Sequence, residues 1–462
     1  MFHVKLSSYQ KSDDIKLLSE YEKVLEQIEE KLKEDPNNAE VWSIKCSIFT
    51  ELSKYEKAIF AGEKAITLNP EDIDTLNNLG VCYIFLDRYT EAISCCLKSI
   101  EKDPANYLSL NNLGTCYNHL GLADEAIKYW RKSHEIKPSL LSSNNIGMYM
   151  MENNQYDMAI TYFDAVLKDY PENYVTLTNK GECLRNKGAY KEAITFLDQA
   201  IQLNSSYMPA QISRIKSLIT LHLYEEALKS IDMLMKKDDK NTFLYSLKSH
   251  CLIELNCSRE ALFTCEKALE LEPNNKIFYL SKGKIFYSLG EYEDTIANYE
   301  KVLEIDSLDS SALIGKAAAI IDLNRSEKME SKSENNQPMA EVLSLSSEKW
   351  SIESISRFEE AIRCCDSALK IDPNDAHALY NKGFCLMAAD RIFEALECFT
   401  QVIQIDSSYY KAWYYKAILD IEYNKVEALN SAREYLKTAP ISDENQIKYM
   451  TKLIDVLSSK VD

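Results

Sequence analysis

A chain of 462 residues with 72 acidic and 53 basic side chains carries a formal net charge of −19, which excludes the basic stripe that a phosphate-tracking surface needs. Nucleic acid is therefore not an expected partner, and anionic membranes repel such a chain. No apolar run reaches the ~18 residues of a spanning helix, so membrane insertion is not expected either. Thirteen cysteines show no C-x-x-C spacing and recur at fixed places in a helical pattern, as small packing residues kept reduced in a cytoplasmic setting do. Residues Met1 to Ser7 lack a charged head followed by an apolar run, and no secretion signal is expected.

In chain order, the first predicted element is an amphipathic helix over residues 12–34, with Ile15, Leu18, Tyr21, Leu25, Ile28 and Leu32 at helical spacing. Residues 1–38 are expected to form a half repeat that caps the N-terminal end. From Ala39 a fixed period governs the chain. Leu76-Asn77-Asn78-Leu79-Gly80 returns 34 residues on as Leu110-Asn111-Asn112-Leu113-Gly114. Such a period marks stacked two-helix repeats, each touching only its neighbours. They begin near Ala39, Ile73, Tyr107, Leu140, Tyr174, Met208, Thr242, Lys276, Ser310, Ala376 and Tyr410, and positions are counted from these starts.

Pro36, Pro70, Pro104 and Pro138 fall at position 32, where proline ends one helix pair and is tolerated at the start of the next. Gly80, Gly114, Gly147, Gly181, Gly283 and Gly383 occupy position 8, where two helices are expected to press closest. Gly121, Gly188 and Gly290 occupy position 15, in a turn that asks for a left-handed backbone. Alanine at position 20 (Ala58, Ala92, Ala126) faces frequent aromatics at position 17 (Tyr55, Tyr89, Tyr156), a small-against-large pattern that lets antiparallel helices interdigitate.

The period breaks once. Leu323 is position 14 of its repeat and Phe358 reads as position 17, so Ser326 to Arg357 is a 32-residue insertion between two helices. Ser326 to Pro338 is polar and expected to lack order, while Val342, Leu345, Trp350, Ile352 and Ile355 are expected to extend the following helix backward. A tolerated surface loop is the plainer reading; a docking or phosphorylated segment, or one folding back into the groove, is the sharper one. Repeats thus occupy 39–325 and 358–425, and residues 426–462 are expected to cap the other end, the last helix running from Glu444 to Ser459.

Trp or Leu at position 4, Gly at 8, Tyr at 11, Ala at 20 and Pro at 32 together resemble the tetratricopeptide repeat, over about nine-tenths of the chain. The resemblance implies an all-α fold, a right-handed superhelical solenoid of helix-turn-helix repeats. It also implies a concave groove lined by the first helix of each repeat, near positions 2, 5, 6, 9, 12 and 13. Proteins of this family serve as scaffolds, adaptors and enzyme appendages, so the fold alone does not choose a function.

Catalytic patterns are missing. The six histidines (His3, His119, His134, His222, His250, His377) are scattered, and no H-E-x-x-H, G-x-S-x-G or G-x-G-x-x-G occurs. No enzyme activity, metal or cofactor is expected. The groove is more informative. Position 6 reads Asn78, Asn112, Asn145 and Asn179 in four consecutive repeats and Asn381 later; position 5 adds Asn77, Asn111 and Asn144. Asparagine is a mediocre helix residue, so a run of it needs a reason. One is an amide ladder, each side chain offering a donor and an acceptor to the backbone of an extended peptide, as in peptide-binding superhelices that this family resembles. The other is a set of contacts between repeats. Around the asparagines, Val81, Ile84, Phe85, Met148 and Met151 give apolar pockets, and Glu152, Glu182 and Arg185 give mixed charge. The family's carboxylate clamp for chaperone tails implies lysine at position 5, where Ser43, Asn77 and Asn111 stand, so that use is disfavoured.

The expected function is a scaffold that holds an extended segment of a partner protein in its groove. A structural scaffold acting through its convex face or ends, and a regulatory docking subunit of an enzyme, are the alternatives. If stability is a sum of near-neighbour terms, deleting the whole repeat Lys276–Asp309 leaves a shorter helical protein, whereas deleting half a repeat misaligns every later interface. Circular dichroism separates the two, and an unfolded whole-repeat deletion would refute the modular reading.

Overall fold

The computed structural model describes residues 11–330 and 350–461, which form 24 helices and, among the described residues, no strand. The chain divides into two compact units, Met1–Ser230 and Ile231–Asp462. The first holds α1 (Lys11–Glu34), α2 (Ala39–Glu51), α3 (Tyr55–Leu68), α4 (Ile73–Phe85), α5 (Tyr89–Lys102), α6 (Tyr107–His119), α7 (Ala123–Ile136), α8 (Leu140–Glu152), α9 (Tyr156–Asp169), α10 (Tyr174–Asn186), α11 (Tyr190–Leu203) and α12 (Met208–Thr220). The division falls within α13 (Tyr224–Met235). The second unit holds α14 (Thr242–Glu254), α15 (Ser258–Leu271), α16 (Lys276–Leu289), α17 (Tyr292–Ile305), α18 (Ser310–Glu330), α19 (Ile352–Ile371), α20 (Ala376–Ala388), α21 (Ile392–Ile405), α22 (Tyr410–Tyr423), α23 (Lys425–Thr438) and α24 (Glu444–Val461). Within each unit the first helix of a repeat packs on its own second helix and on the first helix of the next. This is an all-α repeat solenoid.

The local chemistry repeats with the period. Most first helices open on an Asn, Asp or Ser cap, and the side chain of several accepts the backbone N–H three residues on: Asn38 from Val41, Asp72 from Thr75, Asn106 from Ser109, Asn173 from Thr176 and Asp375 from Ala378. Position 15 is left-handed in nine repeats, but Asn324 lies within α18 and Asn424 has a φ of −150°. Gly121, Gly188 and Gly290 have φ of 77°, 90° and 77°, as their identity suggested. Six further repeats hold the same conformation with Ser53, Asp87, Asn154, His222, Asn256 and Asp390. Asparagine, aspartate and histidine bear that conformation at lower cost than other side chains.

Position 8 is where helices touch. A Cβ on Gly114 would stand 2.6 Å from Trp130 Cδ1, on Gly147 2.6 Å from Phe163, on Gly181 2.7 Å from Leu197 and on Gly283 2.7 Å from Tyr299. In every case the large side chain lies sixteen residues on, in the second helix of the same repeat. A second period of sixteen runs between repeats as ion pairs. A cation at position 7 meets an acid of the preceding helix: Lys45–Glu29 at 2.5 Å, Lys180–Asp164 at 2.6 Å and Arg214–Asp198 at 2.5 Å in the first unit. Lys248–Asp232, Lys316–Glu300 and Lys382–Asp366, at 2.8, 2.8 and 2.7 Å, continue the pattern in the second. Where position 7 is Leu79, Leu113 or Ile146, it is fully buried instead.

All thirteen cysteines are free and all but Cys257 are buried. Burial pushes the Cys46 and Cys116 thiols up to about 12 and Cys82 to about 11, far from the thiolate range in which a cysteine reacts.

The insertion is more than a loop at its ends. Ser326 to Glu330, expected to lack order, continue α18, which has 21 residues where α20 has 13. Residues 331–338, Val342 and Leu345 lie outside the described residues. Trp350 is buried edge-on to Phe358, with ring centroids 4.9 Å apart, and Lys328 Nζ lies 4.0 Å over its ring. Ile352 and Ile355 lie on the backward extension of α19, as the apolar spacing implied, although Ile352 itself is exposed.

Two glycines of the same sequence motif give a sharp contrast. Gly114→Ala drives a methyl into Trp130 and the Ala126 carbonyl, an overpacking worth about 1–3 kcal/mol, against a gain of ~1 kcal/mol in helix propensity. At Gly80 the new Cβ meets Cys96 Sγ at 3.2 Å and, at an ordinary contact distance of 3.9 Å, Asn112 Nδ2. Thermal melts are expected to show Gly114→Ala destabilised and Gly80→Ala neutral or stabilised; equal losses would contradict the packing account.

Candidate functional site

The groove positions of the first unit lie on α4, α6, α8 and α10, and adjacent asparagines there turn out to do different things. Asn77, Asn111 and Asn144, at position 5, are buried. Each is tied to another repeat. Asn77 Oδ1 accepts from Ser109 Oγ and, at 3.4 Å, from Ser99 Oγ. Asn144 Nδ2 donates to Thr176 Oγ1 at 2.9 Å, while its Oδ1 lies 3.1 Å from the same hydroxyl. Asn111 Oδ1 accepts from Asn145 Nδ2 at 3.0 Å. Position 3 of the following repeat supplies the hydroxyl in two of these joints, and Thr75 does so for Ser43 at 2.7 Å. Position 5 therefore serves as an inter-repeat joint.

Position 6 is different. Asn78, Asn145 and Asn179 are half-exposed and Asn112 is 9% exposed. Asn78, Asn112 and Asn179 form no side-chain hydrogen bond among the described residues, and Asn145 spends one donor on Asn111. These helices also present Thr115, Asn118, Met148, Tyr149 and Glu152, which with Asn145 line a shallow open pocket between α6 and α8. Thr115 and Asn118 stand at positions 9 and 12, so the groove register was enough to find them; nothing in the sequence marks Tyr149, at position 10. Arg185, at position 12 of α10, is half-buried, and its Nε is shut from water without an acceptor. Asn381 is buried on α20 in the second unit and so is not part of this set.

The same register in the second unit is occupied from within. Arg325, on the extension of α18, lays its guanidinium 4.2 Å over the Phe384 ring. Its Nη2 donates to Tyr415 Oη at 2.8 Å and its Nη1 to Asp322 at 3.3 Å. Tyr287 Oη donates to Asp322 at 2.5 Å, and burial together with that bond pushes the phenol above its usual range. Phe384, Tyr415 and Tyr287 hold positions 9, 6 and 12. The second unit thus covers this face with its own arginine, and the first unit leaves its amides open.

Helix pairs repeating at 34 residues, joined at glycine and capped by asparagine, define a helical-repeat scaffold. The chain is a tetratricopeptide-repeat protein. Tetratricopeptide repeat models match residues 73–106, 95–128 and 278–307, and the model described as anaphase-promoting complex, cyclosome, subunit 3 matches 152–234. Among curated proteins, signal recognition particle subunit SRP72 of Dictyostelium discoideum is 39% identical over 59 residues, 13% of this chain and 9% of that protein. The chain therefore spans only a small part of that relative's length. Yeast Tom70 is similar in structure at 16% identity and a TM-score of 0.40, over 92% of this chain and 98% of that one. A tetratricopeptide repeat protein from Parabacteroides merdae gives 17% and 0.42, over 54% and 98%. Repeats of this family make the chain a protein-interaction scaffold. No described helix is long and apolar enough to cross a membrane.

The two asparagine positions predict opposite stability effects. Asn144→Ala removes a buried amide from Thr176 and is expected to cost about 1–3 kcal/mol. Asn78→Ala removes no hydrogen bond and exchanges a poor helix former for the best one. Urea denaturation of the two single variants checks this, and comparable losses would show that position 6 is structural too.

Proposed function

We propose that the first unit holds an extended segment of a partner protein along the first-helix face of α4, α6, α8 and α10, with the position-6 amides bonding its backbone. One observation carries the reading. In α4 and α6 an asparagine bonded to another repeat stands beside one at position 6 that bonds no other side chain, and Asn179 on α10 is likewise unbonded, whereas Asn145 on α8 keeps one donor for Asn111. If asparagines merely joined the repeats, both positions would be tied.

The spacing suits such a ligand. Packed helices lie ~8–10 Å apart, and an extended chain advances ~3.3 Å per residue, so one amide meets about every third peptide residue. Backbone recognition of this kind tolerates many sequences, and flanking apolar residues such as Val81, Ile84 and Met148 supply selectivity. The partner is accordingly a protein segment able to become extended, and no cofactor takes part.

Replacing Asn78, Asn112 and Asn179 together by alanine tests it. At about 0.5–1.5 kcal/mol per bond, three bonds contribute about 1.5–4.5 kcal/mol, a loss of roughly ten-fold to over a thousand-fold in affinity. The probe is a peptide selected by the wild-type chain from a random display library, titrated calorimetrically beside a thermal melt. Undiminished affinity in a folded triple variant would move the reading to a scaffold acting through its convex face or ends.

A further inference from the structure

We infer that Arg185 reads charge in this groove, taking the side-chain carboxylate of an aspartate or glutamate within the bound segment. The inference rests on the groove reading and adds a sequence requirement that an amide ladder does not impose.

Packing does not ask for a cation at this place. Arg185 is position 12 of its repeat, and the flanking repeats carry Ile84, Asn118, Met151 and Ile219 there. Those repeats stack without a charge. The arginine is therefore an addition to the architecture and not part of its joints.

Its pairing is equally singular. The other half-buried arginines all meet carboxylates. Arg214 lies 2.5 Å from both Asp198 and Glu226, Arg325 3.3 Å from Asp322, Arg357 2.8 Å from Glu327 and Arg391 2.7 Å from Glu394. Arg185 makes neither an ion pair nor a hydrogen bond among the described residues, and its Nε is a buried donor without an acceptor. The neighbouring cations are engaged, Lys180 on α10 with Asp164 at 2.6 Å and Lys187, just past its end, with Asp157. Glu182, three residues before Arg185, is engaged as well, accepting from Ser213 Oγ at 2.6 Å. In a chain with 72 acidic residues, an unpaired guanidinium is not explained by a shortage of partners. A buried donor left unmade is unfavourable, and a planar fork of five donors fits a carboxylate better than any other group.

Its place on the ladder fixes where the acid falls. Arg185 follows Asn179 by six residues on one helix, about 9 Å of rise, and long helical side chains lean toward the N-terminus, which shortens that gap. Asn179 is the last of four consecutive ladder residues, since Ser213 holds position 6 in the next repeat and is bonded to Glu182. The acid is thus expected at one end of the bound stretch, where the peptide crosses α10. The wider chain is acidic and does not attract such a ligand at long range; at physiological salt that repulsion is screened beyond ~8 Å, leaving local pairing to decide.

The experiment uses the full chain and a random peptide library displayed without a free C-terminus, so that only side-chain carboxylates are offered. Selection by the wild type is expected to enrich Asp or Glu at one register, and selection by Arg185→Glu to lose that preference and favour Lys or Arg there. In a selected peptide, changing the acid to its amide is expected to weaken binding about ten-fold to a hundred-fold on the wild type, and to change nothing on Arg185→Met. The peptide-side change needs no protein variant, so a variant that fails to fold leaves the test intact. Peptides that depend on Asn78, Asn112 and Asn179 but show no acidic preference would overturn the role of Arg185 alone. An acidic preference unchanged in Arg185→Glu would place the recognition elsewhere. A wild type that selects no ladder-dependent peptide would bring down the groove reading, and this inference with it.

Discussion

The contact that holds helix to helix in six repeats, from Gly80 to Gly383, is the close approach of a position-8 glycine to the side chain sixteen residues later. Neither helix of a repeat can bury its apolar stripe alone, and short helices are marginal in water without tertiary packing. Glycine removes the one atom that would hold the helices apart, and Trp130, Phe163, Leu197 and Tyr299 fill the space it leaves. Tyr299 shows how the contact propagates. A Cβ on Gly283 in its own repeat, or on Gly315 in the next, would stand 2.7 or 2.6 Å from its ring, so one side chain fastens a repeat and the following joint together. Within each unit the first helices are then held side by side in a row. A ladder of side chains can exist only because of that row.

The period, the glycines and the turns were legible because backbone geometry dictates them. No residue but glycine fits at Gly114, and a proline at position 32 leaves the chain few alternatives. What the sequence hid was hidden by adjacency and by abundance. Asn77 and Asn78 are neighbours in the same motif, yet about 100° of helix rotation sends one into the joint with Ser109 and the other toward the open face. The residues alone leave that division open. The ion pairs at a spacing of sixteen were written in the chain, but acids and lysines are so common here that the spacing did not stand out. At the insertion, a polar composition suggested a loop, whereas Arg325 and Trp350 give α18 and α19 tertiary contacts that outweigh local preference.

The two kinds of joint between repeats bear on function. At α2, α10 and α12 the joint is ionic, through Lys45, Lys180 and Arg214; at α4, α6 and α8 position 7 is Leu79, Leu113 or Ile146, and amides or hydroxyls make the polar contact. The ladder therefore begins over neutral joints, where no ion pair between repeats lies beneath the amides. Positive charge enters at α10, with Lys180 inside the joint and Arg185 outside it, whereas Asp74 on α4 and Glu152 on α8 are acidic. A segment lying across these helices meets sequence-tolerant amides first and a single cation last. Tolerance along most of the length and selection at one end give such a groove both breadth and register. A ladder alone lets a peptide slide by one repeat with little penalty, because each step looks like the one before. One unrepeated guanidinium at its end removes that degeneracy, since only one alignment of the peptide brings an acid to Arg185.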